Sequence, residues 1–449
     1  MFQVQLGMSS VSMTSLNCLP DELLVQILSF LPTKRAASTS VLAKRWRTLF
    51  VIRQNLDFDD SDFLNWEDVG EDDMDEIRES FKDFVDRTLD LQGPQPINKV
   101  SLKCGEEPGE DHVDDWIINT LDRGVSELHL CLTFHRRTHF PSNLFVSKTL
   151  VKLILGKEFS IDCVPSNTFL PVLKILFLRS VWFMGTELSD VLLAGCPALE
   201  DLTIHHKYFF GTPEIISSKS LKRLSIISKC AEDVHLFEFI SFDAPNLVDL
   251  FYADYARHKY CRCNLDSLVK ATLDLHFLEP EHCDEPFEPN VTVLMNGVRN
   301  VKMLQLTFSA TEVLSECCKG GLPVFKNLLD LVFYGYKERV WKELLPLMLE
   351  NSPNLKRLML SALYPCTYEH EFDGIRIPQT NKVNFLGIMY YQGTENELKH
   401  VSHFLLKMEQ LQVLKVHFPK TLVDSKRVQL IEDLLKLPRA SSTLTMQFV

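Results

Sequence analysis

The sequence predicts an α/β fold class: a small all-α hairpin, then a solenoid with a parallel sheet on its concave face and helices on its convex face. Three observations lead there. From Leu19 to Trp46 a dense set of apolar residues recurs at helical spacing, ahead of a body of different character. Through most of the remainder a phrase of the form Leu-x-x-Leu-x-Leu, or a close variant, returns eleven times in register. Between those phrases lie helix-like pieces such as ELSDVLLAGCP and VWKELLPLMLENSPN.

Residues 1–14 read as a flexible lead-in, without the basic start and long apolar core of a signal peptide. Residues 15–52 form the hairpin. Leu23, Leu24, Ile27, Leu28 and Leu31 make one broad apolar stripe, and Asp21 and Glu22 sit in the first turn, where the helix dipole favours carboxylates. Pro32 stops that helix, Thr33 can cap the next, and a third short helix runs through Val41, Leu42, Trp46 and Leu49. A module of about thirty residues cannot close a core around so many leucines. The surplus apolar surface is expected to meet another protein, unless the hairpin packs throughout on the chain's own main domain.

The order Leu19-Pro20-Asp21, Leu24, Ile27-Leu28, Leu31-Pro32, Ser40-Val41-Leu42 and Lys44-Arg45-Trp46 closely resembles the F-box in the form common among plant proteins. That resemblance implies binding of a Skp-type adaptor, which tethers such proteins to a cullin-RING ubiquitin ligase. It places Leu19, Pro20, Leu24, Ile27, Leu28, Leu31 and Pro32 at the adaptor interface, with Trp46 packing the hairpin internally. Arg35 departs from the family, whose members commonly carry an acidic residue there.

Residues 53–96 read as an acidic linker and helical cap. Asp57, Asp59, Asp60, Asp62, Glu67, Asp68, Glu71, Asp72, Asp73, Asp75, Glu76 and Glu79 follow one another with no base before Arg78. A run of this kind is a solvated linker or, alternatively, a clamp for a basic tail. It supplies much of the net charge of −13, which argues against nucleic acid as a partner.

Residues 97–377 are assigned to irregular repeats. The middle leucines step by 23, 26, 22 and 26 through Leu153, Leu176, Leu202, Leu224 and Leu250, then by 27, 27, 28 and 28 through Leu304, Leu331, Leu358, Leu386 and Leu414. These steps match a leucine-rich repeat. In each unit the two residues of Leu-x-Leu point inward from a short strand and the residue between them faces out. The asparagine that usually caps the turn after the strand is missing from most units, and spacing widens between Leu273 and Leu304, where EPEHCDEPFEPNV reads as a surface loop. Gly195 is expected to end one helix.

Residues 378–449 continue the solenoid. Thr394 and Glu397 form a capping box, and the helix after them presents Leu398, Val401, Phe404 and Leu405 on one face. Ile388, Tyr391, Gly393, Thr394, Glu397, Leu398, Phe404, Leu405 and Leu411 resemble the FBD segment of plant F-box and leucine-rich-repeat proteins, while Pro378-Gln379-Thr380 replaces the Pro-x-Cys-Leu approach of that family.

The 449 residues, 45% apolar, exclude global disorder, and no stretch is long and apolar enough for a membrane span. The twelve cysteines form no Cys-x-x-Cys pair and are expected to be reduced and buried. His258, Cys261, Cys263, His282 and Cys283 fit no metal spacing, so neither metal nor cofactor is expected. No phosphate loop, nucleophile elbow or zinc-protease helix occurs. His400 and His403 read as surface polar residues, one of His205 and His206 faces the concave groove, and His135, Arg136, Arg137 and His139 form a solvated basic loop or a contact for an acidic ligand. The expected function is that of a non-catalytic substrate-recognition subunit of a Skp-cullin-F-box ligase, in the nucleus or cytoplasm, with a protein target held by the repeats. Two alternatives are a receptor gated by a small molecule in the concave face and a scaffold detached from any ligase.

Overall fold

The computed structural model describes residues 16–63, 71–105, 110–132, 140–160, 164–182, 188–206, 214–228, 239–277, 289–318, 321–361, 363 and 374–449. The expected lead-in at 1–14, the basic run at 135–139, His282 with Cys283, most of the acidic loop around them, and Glu67 with Asp68 lie outside the described residues. The chain divides into two units, Met1–Ile154 and Leu155–Val449.

The first unit opens with helices α1 (Asp21–Ser29), α2 (Thr33–Ser38) and α3 (Lys44–Val51). Strand β1 (Asn55–Asp59) then pairs in parallel with β2 (Lys99–Cys104), and β2 with β3 (Glu127–Leu132). The repeat ladder therefore starts inside the stretch expected to be an acidic linker. The reason is strand alternation: Leu56 and Phe58 are buried while Asp57 and Asp59 face out, and Lys103 of β2 meets Asp59 at 3.1 Å. The rest of the described acidic run belongs to a turn and to α4 (Glu71–Gln92), whose Phe81, Val85 and Leu89 are buried at four-residue spacing. Helix α5 (Glu110–Asp122) joins it, Trp116 Nε1 donating to Asp86 Oδ1 at 2.6 Å.

Strand β4 (Lys152–Ser160) begins in the first unit and ends in the second. The second unit continues with β5 (Ile175–Trp182), β6 (Asp201–His206), β7 (Ile215–Ser217), β8 (Arg223–Ser228), β9 (Phe239–Asp243), β10 (Asp249–Tyr255), β11 (Lys259–Asn264) and β12 (Lys270–His276). After them come β13 (Met303–Leu306), β14 (Asp330–Tyr334), β15 (Arg357–Ser361), β16 (Phe385–Met389), β17 (Val413–Val416) and β18 (Thr445–Phe448). The main sheet runs β5-β6-β8-β10-β12-β13-β14-β15-β16-β17-β18. Its register joins the expected middle positions directly, Leu176 to Leu202 to Leu224 to Leu250, and Leu304 to Leu331 to Leu358 to Leu386 to Leu414. Ala271 fills the step between Leu250 and Leu304. Every residue quoted for the phrases is at most 2% exposed, so one leucine column is the core of this unit.

Helices α6 (Thr292–Gly297), α7 (Phe308–Cys317), α8 (Leu345–Glu350), α9 (Glu395–Lys407) and α10 (Asp424–Leu435) link the later strands. The earlier links differ from the helices expected: β7, β9 and β11 form a second parallel sheet, ordered β11-β9-β7. These links are the shorter ones, as from Tyr255 to Lys270, and their text alternates apolar and polar, with Ile216, Ile240, Phe242 and Tyr260 buried. Wide helical turns at Leu188–Leu193 and Val340–Leu344 replace regular helix, the second just ahead of Pro346, which cannot donate to the preceding turn. Gly195 serves packing more than chain reversal, because a Cβ there would lie 2.5 Å from the Thr168 carbonyl oxygen.

Polar groups hold the register where the column does not. Asp201 pairs with Arg223 at 2.8 Å, Asp249 with Lys270 at 3.2 Å and Asp330 with Arg357 at 2.7 Å, each across neighbouring strands. In place of the absent turn asparagine, Asn246, Asn327 and Asn354 stand just before the first leucine of their phrases and donate to the carbonyls of Lys219, Asn300 and Lys326 in the preceding repeat. A buried set at β10 joins Arg257 Nη2 to Asp254 Oδ2 at 2.5 Å, with the Tyr252 hydroxyl donating to the same oxygen at 3.2 Å. The Thr394 and Glu397 box closes in both directions, at 2.9 Å from Thr394 N to Glu397 Oε2 and 3.2 Å from Glu397 N to Thr394 Oγ1.

Two expectations about side chains are corrected. His400 is buried at 5% exposure beside the Trp341 ring, and burial, with His403 adding to it, lowers its imidazole to about 4. It lies on the same helical line as Val401 and Phe404, so the helix face is wider than the apolar residues alone suggest. Of the described cysteines, Cys104, Cys196 and Cys318 are buried but Cys18 and Cys261 are exposed.

Candidate functional site

The hairpin has an inside and an outside, and α1 serves both. Leu24 and Leu28, one helical turn apart, are fully buried against Ala36, Trp46, Leu49 and Phe50. Leu23, Ile27 and Leu31, offset by one position, face away, as does Phe30, which is 88% exposed. Leu16, Val41 and Leu42 add to this surface, Val41 at 81% exposure. Seven large apolar side chains within 16–42 thus stand open, an area unusual for a soluble surface unless it meets something.

Of the seven positions assigned to adaptor contact, Pro20, Ile27 and Leu31 are exposed, Leu19 and Pro32 are half-buried, and Leu24 and Leu28 lie beneath them. The last two support the surface and do not reach it. Leu16, Leu23, Phe30, Val41 and Leu42 were not among the seven. The signal that could have found them is angular: at 100° per residue, five apolar positions in nine cannot all face one small core. The third helix also starts later than expected, at Lys44, which leaves Val41 and Leu42 in an exposed turn while Trp46 and Leu49 are buried.

Two arginines position α1. Arg45 of α3 donates from Nη2 to the Leu19 carbonyl at 2.6 Å and from Nε to Asp21 Oδ1 at 2.8 Å, fixing the entry of the helix. Arg53, buried, donates from Nη2 to the Leu31 carbonyl at 2.9 Å and to Thr33 Oγ1 at 3.3 Å, fixing its exit. Burial lowers the Arg53 guanidinium to about 10, an effect the Asp57 carboxylate opposes, so it stays charged at neutral pH. Thr33 does not cap α2 as expected. Its hydroxyl accepts from the Asp57 backbone N–H at 2.7 Å, tying the hairpin to β1. Gln92 at the end of α4 donates to the Arg53 carbonyl at 2.9 Å, and Lys34 caps the Phe63 ring at 3.6 Å. The hairpin is therefore anchored at its base while the opposite face of α1 is left uncovered.

Among the described residues no group of three or more His, Cys, Asp or Glu could hold a metal ion, and no helix is long and apolar enough to cross a membrane. The carboxylate of Asp274, on the outward side of β12, is held well below the usual carboxylate range by His276 and by the hydroxyls of Thr307 and Ser309. Both hydroxyls donate to Asp274 Oδ1 at 2.7 Å. His205 is half-buried on β6, and the side chain of His206 lies outside the described residues.

Comparison with known proteins agrees with this geometry. The F-box domain model matches residues 16–56, and a model described as "FBD-associated F-box protein At5g56370, LRR repeats" matches residues 113–317. The chain is 62% identical to the putative F-box/LRR-repeat protein At3g44810 of Arabidopsis thaliana, over 98% of this chain and 100% of that one. It is 51% identical to the putative F-box/LRR-repeat protein At3g42770 of the same plant, over 96% and 80%. With the F-box/LRR-repeat protein At3g60040, also from Arabidopsis thaliana, identity is 40% over 97% of each chain.

Proposed function

Because the chain belongs to the plant F-box/leucine-rich-repeat family, we propose that it is the substrate-recognition subunit of a Skp-cullin-F-box ubiquitin ligase. The hairpin docks on a Skp-type adaptor, and the repeats hold a target protein for ubiquitination and degradation. The single observation that supports this most is the open apolar face of α1, where Leu23, Ile27, Phe30 and Leu31 stand uncovered over a hairpin core that Leu24 and Leu28 already fill.

Within this reading the adaptor contact comprises Leu19, Pro20, Ile27, Leu31 and Pro32, joined by Leu23 and Phe30, with Leu24 and Leu28 as their support. The chain performs no bond chemistry. It raises the effective concentration of a target lysine near a ubiquitin-conjugating enzyme, and rate follows from proximity. Its expected place is the nucleus or cytoplasm, where the ligase operates.

The test is copurification of the full chain with a Skp-type adaptor. Wild type is expected to copurify, and Ile27→Asp with Leu31→Asp to lose the adaptor while melting as wild type does. A wild-type chain that fails to bind any Skp-type adaptor overturns the proposal and leaves an interaction scaffold.

A further inference from the structure

On the solvent side of β14 to β17, Val332, Met359, Gly387 and Lys415 stand in one row, paired strand by strand. The Met359 thioether lies over Gly387 so closely that a Cβ at that position would collide with its sulfur. A bare glycine under an adaptable side chain makes a flat apolar floor. At its edge Lys415 is half-buried and makes no ion pair among the described residues.

One row further along the strands, the sheet re-aims a tyrosine. His417 N donates to the Ile388 carbonyl at 2.8 Å and Tyr391 N donates to the His417 carbonyl at 3.0 Å, so the ladder skips Tyr390. Alternation would send Tyr390 inward after Leu386 and Ile388. Its φ of 58° turns it out instead, to 59% exposure, and Tyr391 takes the interior. The left-handed region is costly for an aromatic residue, and such costs collect where a side chain is needed in a given place. Burial raises the Tyr334 hydroxyl, with the nearby Tyr390 adding to it, and Tyr334 packs edge-on to Phe308 at 5.3 Å.

We propose that Val332, Tyr334, Met359, Tyr390 and Lys415 hold an extended segment of the target in which a carboxylate lies between apolar side chains. The carboxylate meets Lys415, one apolar neighbour lies on the Met359 floor, and the other packs against Tyr390. Charge selects this occupant. A wholly apolar segment would cover the ammonium without a partner, and a basic one would set like charges together. The inference rests on the target-binding role proposed above and adds what the target carries.

The experiment measures fluorescence anisotropy of the full chain with short synthetic peptides that place one Glu between Leu and Phe, and with matched peptides carrying Gln or Lys instead. The Glu peptide is expected to bind about fivefold more tightly than the Gln peptide, the upper range for a partly exposed ion pair. Lys415→Glu is expected to move the preference to the Lys peptide. Tyr390→Gly is expected to weaken binding of every peptide without lowering the melting temperature, because glycine accepts that φ. Equal binding of the three peptides, no binding of any, or a preference that survives Lys415→Glu overturns the proposal. Adaptor copurification is followed in parallel: its loss with the Glu preference intact removes the ligase role and leaves this surface standing.

Discussion

Arg53, two residues before β1, donates to the Leu31 carbonyl at 2.9 Å, just beyond the end of α1. The bond matters because Leu31 is where the buried and open sides of the hairpin part. Arg53→Met is expected to take this donor from the Leu31 carbonyl and one of two from the Thr33 hydroxyl, which keeps the Asp57 N–H, costing about 1–3 kcal/mol. The readout is a lower melting temperature with faster proteolysis near Leu31, and Arg53→Lys should fall between. A melting curve unchanged by Arg53→Met would show that the hairpin is held by packing alone.

Adjacent positions on α1 should fail in opposite ways. Leu28→Ala removes a side chain that is 1% exposed and should cost about 2–5 kcal/mol of stability. Ile27→Ala, at 40% exposure, should leave the melting temperature nearly unchanged and weaken adaptor binding instead. Parallel melting and adaptor titrations of the two variants separate these outcomes.

The two classes of ion pair should also differ. Asp254 and Arg257 are both at most 1% exposed, so Asp254→Ala strands a buried guanidinium and should cost about 3–5 kcal/mol. Asp201 and Arg223 lie near the surface, and a double-mutant cycle on them should give a coupling of about 1 kcal/mol or less that shrinks with added salt.

Stability should fall with acid through the histidine window. His400 is lowered to about 4, below an unfolded value of about 6.5. The unfolded chain therefore binds more protons between those values, and this contribution is present above about pH 6.5 and lost as pH drops toward 4. Replacing His400 with Phe should flatten the dependence of melting temperature on pH over that interval; a slope unaltered by the replacement would assign it to His129, also lowered to about 4 by burial, or to other groups.

The repeat was legible because its signal is redundant: a leucine that pairs with a leucine in the next strand writes the same letter at each step, from Leu176 to Leu202 and onward. The hairpin's outward residues were legible only in part, since Leu24 and Ile27 are equally apolar and only their angle on the helix tells the core from the surface. Strand β1 was hidden by its own charges, because Asp57 and Asp59 read as linker until the buried Leu56 and Phe58 between them are given a partner strand. His400 and Arg53 were misread or missed for one reason. A polar side chain signals its usual solvation, and only the tertiary surroundings show that Trp341 or the Leu31 carbonyl has replaced water.

The division of labour on α1 has a genetic consequence. Substitutions at Leu24 or Leu28 unfold the hairpin and expose the product to quality control, so the allele behaves as an absence. A change at Ile27 or Phe30 would instead yield a well-folded polypeptide that, under the proposed role, still captures its targets and delivers them nowhere. Under the proposed role such an allele would shelter those targets from turnover even beside a normal copy, and inheritance would be dominant.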